Sequence, residues 1–383
     1  MPDDGDRLSA DDARILALES AVLTGHTLKL IILSPGTPLD LQSLRESVSA
    51  RLLSEPRALE CVDAGHTDSA PRWVRAEHFD IADHVRRREG SGCATQEDLR
   101  RTVSVLMSEH LNRSRPLWTF DIIGPLADGS EAIAARMHHA MADGIAGTRF
   151  LEAVLLDPRD APQHPAGISS PTAQPSRLAE LRRLPAAVER ELGRPGSRSP
   201  FDKPITSARE LAFTSAPLGG LRAIGASRPV HATVNDVLLA VVAGGLRSWL
   251  QNSTAAIDLR AQVPVRLHHR DENATDLGNR DSFINVDLVL SESDPLRRLD
   301  RISANTRTEK QRGDAALLYD LFHALGRFRH ADELVERIAD SSREFSVAIS
   351  NVPGPRVPVA VGGRRVDRMY SSSEPAEHHA LRV

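Results

Sequence analysis

Only two cysteines, Cys61 and Cys93, occur in 383 residues, too few for a disulfide framework and not arranged as a C-x-x-C zinc site. That scarcity fits a reducing, cytoplasmic setting. No run of about 18 apolar residues is present, which excludes a membrane-spanning helix. The opening residues Met1 to Asp6 are acidic and polar and lack the basic and apolar regions of a signal peptide. Lysine is nearly missing: Lys29, Lys203 and Lys310 stand alone, and arginine carries almost all the basic charge, which reads as a compositional bias. The net charge of −4 leaves no basic footprint for nucleic acid. What the chain does have is 40% hydrophobic content over its full length, enough for two domains that share an interface.

A single stretch interrupts the alternation of apolar segments. Nine prolines lie between Asp157 and Pro204, with Ser and Gly among them and an Arg/Glu-rich helix candidate at Leu178 to Leu192. This divides the chain into an N-terminal lobe at 1–157, a Pro-rich linker at 158–204 and a C-terminal lobe at 205–383. In the first lobe, Leu28 to Leu33 reads as a strand, and Leu41, Leu44, Val48 and Leu52 recur at helical spacing. Leu99, Val103, Leu106 and Met107 repeat that spacing before Pro116 stops it. Phe120 to Ile123 and Ile133 to Met137 read as strands joined by an Ala-Asp-Gly turn at 127–129. After the linker, Asn235 to Leu250 reads as a buried helix, with strands at Ala261 to Val265, Ser282 to Leu290 and Phe345 to Ile349. Alternating strands and helices on both sides predict an α/β fold of two lobes.

The densest chemistry lies at His138-His139-Ala140-Met141-Ala142-Asp143-Gly144. An unperturbed imidazole titrates at about 6.5, so a histidine takes a proton from a hydroxyl or amine near neutral pH and returns it to a leaving group. A second imidazole, an orienting carboxylate and a glycine that permits close approach are what such a base needs around it. Ala132 to Met137 is apolar enough for a buried strand and Ile145 to Leu151 continues as a helix, so the pair sits at a strand end. Local chemistry leaves three readings open: a general base, structural histidines, or metal ligands completed by Asp143. Against the metal, no H-E-x-x-H or C-x-x-C partner accompanies the pair.

Other blocks carry simpler readings. Pro116-Leu117-Trp118 reads as a helix stop followed by an aromatic anchor beneath the histidine strand. Thr233 or Asn235 caps the helix that Asn235-Asp236 opens. Ser350-Asn351-Val352-Pro353-Gly354-Pro355 is a strand leaving through a rigid turn. His378-His379 lack a following Asp-Gly and read as an ordinary tail.

In this order, these blocks resemble the bacterial wax ester synthase/acyl-CoA:diacylglycerol acyltransferases, within the condensation-domain and chloramphenicol-acetyltransferase-like superfamily. The resemblance is carried by the H-H-x-x-x-D-G motif, Phe79-Asp80-Ile81 with His84-Val85-Arg86, Pro116-Leu117-Trp118 and Asn235-Asp236. Val263-Pro264-Val265-Arg266, Leu277-Gly278-Asn279-Arg280 and the Ser350 to Pro355 turn extend it, so that it spans about Leu8 to Val366. It implies two chloramphenicol-acetyltransferase-like lobes with a substrate tunnel at their interface. It also implies transfer of a fatty acyl group from acyl-CoA, as co-substrate and without cofactor or metal, to a fatty alcohol or diacylglycerol. His139 is the implied base with His138 beside it, Asp143 pairs with an arginine to hold the loop, and Gly144 leaves room for substrate. Asn235, Asp236 and Asn351 become tunnel candidates, and contact with a membrane or lipid droplet becomes an expectation. The alternatives are a natural-product O- or N-acyltransferase and a catalytically silent lipid-binding relative. Compared with the family, the C-terminal lobe reads as incomplete at its end, its last residues resembling a strand without a partner.

Overall fold

Leu28 to Leu33 is apolar at nearly every position, the pattern of a strand covered on both sides. The structure, a computed structural model, describes residues 6–64, 71–88, 95–142, 144–158, 199–250, 259–266, 281–312, 345–375 and 379–383. In it β1 (His26–Leu33) runs through the middle of a seven-stranded sheet. β6 (Glu131–His138) pairs with it on one side and β12 (Arg364–Ser373) on the other, both antiparallel. β5 (Trp118–Ile123) follows β6, and β4 (Val85–Arg87) lies parallel to β5 at that edge. β11 (Val359–Val361) and β7 (Asp157–Pro158) complete the far side. A small hairpin of β2 (Glu60–Asp63) and β3 (Arg72–Arg75) stands apart.

Strand residues alternate between faces, and here each face meets its own helices. Ile31, Leu33, Ile133, Ala135 and Met137 pack with α2 (Leu41–Leu52) and α5 (Gly144–Val154) through Leu44, Val48, Phe150 and Leu151. Leu28, Leu30, Ala132 and Ala134 pack with α4 (Gln96–Ser108) through Leu99, Val103, Leu106 and Met107. The ends of these helices follow from sequence. The Asp40 side chain accepts from Ser43 N to cap α2, and Thr95 and Asp98 form a reciprocal capping box on α4. α4 ends at Ser108, well before Pro116. Two short helices, α1 (Ala10–Ala17) and α3 (Ile81–His84), flank this half.

The second sheet has the order β10 (Val347–Ala348), β8 (Arg260–Arg266), β9 (Asp281–Asp287). It is packed with α7 (Val234–Leu250) and α8 (Pro295–Arg312), through Val237, Leu239, Ala243, Leu299 and Ile302. α6 (Leu218–Ala226) packs by Gly225 against the segment leading into α7, where a Cβ would lie 2.2 Å from Ala232 O.

Two expectations change at the C-terminus. The division at 204/205 does not follow the sheets, because β11 and β12 belong to the sheet begun by the first 157 residues. Arg364 holds β12 there: it pairs with the buried Glu131, which also binds Arg87 at 2.6 Å and accepts from Leu39 N at 2.8 Å. The last residues do have a partner. Val383 N donates to Ala348 O at 2.9 Å and Ser350 N to Val383 O at 2.8 Å, alongside β10. His379 is likewise no loose tail: it is 1% exposed and stacks on Phe345 with ring centroids 4.0 Å apart. Most of the Pro-rich linker (159–198), the block 277–280 and Asp143 lie outside the described residues.

Candidate active site

The two adjacent histidines stand at a strand end, with His139 the first residue of the turn that follows β6. His138 ends β6, shares its face with Arg136 and His26, and is fully buried. Its Nδ1 accepts from Ala140 N at 3.1 Å, which leaves Nε2 to carry the proton, and Nε2 donates to Glu19 Oε1 at 2.7 Å. Glu19 is fixed in turn by Arg113 at 2.6 Å. Burial opposes ionisation of Glu19, but the hydrogen bond and charge of His138 and the charge of Arg113 hold its carboxyl below the ordinary value. His138 is thus tied at both nitrogens and has none left for a substrate.

His139 continues the ladder, donating its backbone N–H to Gly25 O at 2.8 Å, and is half-buried. Its Nδ1 is buried without a hydrogen-bond partner. Burial first, then the charges of Arg382, His138 and Lys29, push its pKa down to about 3. The ring is therefore neutral near pH 7. The chain then turns, with Met141 N and Ala142 N both donating to His138 O, and enters α5 at Gly144.

Behind the strand, the P-L-W and F-D-x-x-x-H-V-R blocks form a buttress. Trp118 lies opposite Met137, donates from Nε1 to Ala58 O at 2.8 Å, and stacks near His84 with centroids 4.6 Å apart. His84 Nδ1 meets Trp118 O at 2.8 Å, and Phe79 stacks on the His84 ring with centroids 5.0 Å apart. Arg86 pairs with Asp121 at 2.6 Å, and Asp121 reaches Arg136 at 3.3 Å. These residues hold the strand.

The C-lobe candidates stand elsewhere. Asp236 is a helix-cap residue: Oδ2 accepts from Thr233 N at 2.8 Å and from Ser303 Oγ at 3.2 Å, tying the start of α7 to α8. Asn235 is half-buried and Asn351 exposed. Among the described residues, no hydrogen bond joins any of the three to either histidine.

The sequence reading missed Glu19, Gly25, Glu374 and Arg382. The Glu374 carboxylate accepts from Thr24 N and from Gly25 N, both at 2.5 Å, and from Arg209 at 2.9 Å. It thereby clamps the turn on which both histidines rest, while its own carbonyl accepts from Arg382 Nη1 at 2.9 Å. Gly25, just before an apolar run, carries a readable turn signal. The other three have none.

Comparison with known proteins agrees with this architecture. Residues 8–195 match the wax ester synthase/diacylglycerol acyltransferase catalytic domain, and residues 277–383 match the WS/DGAT C-terminal domain. The O-acyltransferase WSD of Acinetobacter baylyi is 29% identical over 81% of this chain and 74% of its own length. A Mycobacterium tuberculosis H37Rv relative, whose name proposes a diacylglycerol O-acyltransferase, is 30% identical over 81% of this chain and 69% of its own. The solved wax ester synthase/diacylglycerol acyltransferase of Marinobacter aquaeolei VT8 superposes with a TM-score of 0.70 at 25% identity, covering 98% of this chain and 89% of that one. The first condensation domain of the CDA synthetase shares the fold, with a TM-score of 0.55 at 16% identity over 97% of this chain and 85% of that one. With both domains matched in order on a two-lobed α/β frame, the chain belongs to the wax ester synthase/diacylglycerol acyltransferase family and is an acyltransferase.

Proposed function

We propose that this enzyme joins a fatty acyl group from acyl-CoA to a long-chain alcohol or a diacylglycerol, with His139 as general base. One observation carries the assignment: of two adjacent imidazoles, His138 is tied at both nitrogens, whereas His139 is held neutral by burial and nearby cations. His139 takes the proton of the acceptor hydroxyl as its oxygen forms a bond to the thioester carbonyl carbon, and the carbonyl electron pair moves to oxygen. Collapse restores the carbonyl, breaks the C–S bond and expels CoA thiolate, which takes the proton from the imidazolium. Base assistance of this kind contributes about 10²–10⁴ in rate, and positioning of two substrates supplies much of the rest. A pKa of about 3 is low for a base in the empty site. Negative charge developing on the carbonyl oxygen offsets the nearby cations and favours the imidazolium as the reaction advances.

The chemistry needs acyl-CoA as co-substrate and no cofactor. Asp143 is assigned the loop-holding role and Gly144 the space beside the reacting groups, in a tunnel between the lobes. Both acceptors reside in apolar phases, so the reading places the enzyme in the cytoplasm with peripheral contact at a membrane or lipid droplet. The test is thiol release with palmitoyl-CoA against hexadecanol, a diacylglycerol and an amine panel, with product mass recorded. Ester products that vanish in a folded His139→Ala variant are expected. Full activity in that variant, or amide products alone, overturns the proposal.

A further inference from the structure

We infer that the buried Glu374–Arg209 pair is a positioning device for the general base, holding the turn at Thr24-Gly25 to which the backbone of His139 is tied. This rests on the general-base reading above and adds to it two positioning residues that act through Gly25.

The geometry is a short relay of hydrogen bonds. Glu374 Oε1 accepts from Thr24 N at 2.5 Å and from Thr24 Oγ1 at 3.1 Å, and Glu374 Oε2 accepts from Gly25 N at 2.5 Å. The carboxylate thus takes two successive amides, one on each oxygen. Gly25 O in turn accepts the His139 N–H at 2.8 Å. From the other side, Arg209 Nη2 donates to Glu374 Oε1 at 2.9 Å and to Val22 O, while its Nη1 donates to Thr206 O at 2.6 Å. Arg209 therefore grips the carboxylate and the start of the turn together.

Both charges are withdrawn from water, the Glu374 side chain being 9% exposed and that of Arg209 7%. A buried carboxylate is costly unless its oxygens are satisfied, and here four donors converge on them. Glu131, with Arg87 and Arg364, is a comparable buried grip at the opposite end of β6. What sets Glu374 apart is where its bonds are spent. They fall on the amides of a turn whose carbonyl carries the base. Gly25 sits at φ +68°, and a glycine has too much backbone freedom to hold any one conformation by itself. A misplacement of about 1 Å at a reacting group costs about 10²-fold in rate, so a glycine turn beneath the base needs an external hold. The carboxylate supplies it, and Arg209 fixes the carboxylate.

The experiment follows thiol release from palmitoyl-CoA with hexadecanol, melting temperature and hydrogen exchange of the His139 amide in Glu374→Gln, Glu374→Asp, Arg209→Gln and the double variant Glu374→Gln/Arg209→Gln. Glutamine places an amide N–H₂ where one of the two backbone donors needs an acceptor. Glu374→Gln should therefore lower kcat by about 10²-fold, with little change in KM for palmitoyl-CoA, and speed exchange of the His139 amide. Glu374→Asp keeps both oxygens but draws them back by one methylene, and should lose less. Arg209→Gln should show the same two effects more weakly and add little to Glu374→Gln, because the pair acts as a unit. Glu131→Ala is the control for a role in folding alone: it should melt lower while each folded molecule keeps its kcat and its His139 exchange. An unchanged kcat in folded Glu374→Gln, a loss confined to KM, a loss with His139 exchange unmoved, or fully additive losses in the double variant overturns the inference. If Glu374→Gln does not fold, Arg209→Gln carries the same readings. His139→Ala is assayed in parallel. If it is inactive while folded Glu374→Gln turns over like the parent, this inference falls and the base assignment stands; if His139→Ala is active, the base assignment falls, whatever the exchange data show.

Discussion

Gly25 and His138 share a space that admits no side chain at residue 25: a Cβ there would lie 2.3 Å from His138 Nε2 and 2.9 Å from Glu19 Cγ. Gly25 also has φ +68°, a left-handed conformation that costs a non-glycine residue about 1–2 kcal/mol. Gly25→Ala is therefore expected to displace the His138–Glu19 pair, lower the melting temperature and abolish most thiol release. A variant that melts and turns over like the parent would show that the turn has slack.

Glu19 offers a finer cut. Glu19→Gln keeps an oxygen to accept from His138 Nε2, whereas Glu19→Ala leaves a buried donor unsatisfied at about 1–3 kcal/mol. The alanine variant should melt lower and lose more kcat than the glutamine variant. Equal behaviour of the two in calorimetry and in the assay would mean that the hydrogen bond does not hold the ring.

Acid should unfold this protein in a defined window. His26 is buried, and burial followed by the charges of Arg136 and His138 lowers its pKa to about 3. Below about pH 6.5 the unfolded chain takes up a proton at this residue and the folded chain does not, so stability falls from about 6.5 towards 3 and is full above 6.5. The slope is about 1.4 kcal/mol per pH unit for one such histidine. Urea melts of the parent and His26→Gln between pH 4 and 8 should show a shallower decline in the variant, and parallel curves would refute the assignment.

Glu131 tests how firmly β12 is held. It is fully buried and binds Arg87, Arg364 and Leu39 N, so Glu131→Ala strands two cations and is expected to cost about 3–5 kcal/mol. Chemical denaturation measures this directly. A change under about 1 kcal/mol would mean that solvent reaches the arginines and compensates them.

What the sequence discloses about this site is local. The apolar run before His138, the helix after Gly144 and the Trp118 anchor are all legible, because each rests on periodicity or on turn chemistry within a few residues. What is not legible is pairing. Nothing near Glu19 or Glu374 tells which backbone groups they will meet, and nothing in Arg364 to Ser373 marks it as the neighbour of β1 rather than of β8. A sheet register is set by which surfaces close around a shared core, which a one-dimensional pattern does not encode. Asp236 shows the converse: its position in a family block suggests a substrate role, while its hydrogen bonds are those of a helix cap.

The place of β12 sets an order of events during synthesis. Translation releases β1 early, yet one edge of β1 waits for a strand near the other end of the chain, and the Thr24 N–H waits for a carboxylate 350 residues downstream. Until the ribosome has passed Glu374, an apolar strand keeps an unpaired edge and the turn beneath the histidines has no clamp. The two histidines are translated well over 200 residues before Glu374, so a nascent chain carries the histidine pair long before the turn beneath it is clamped.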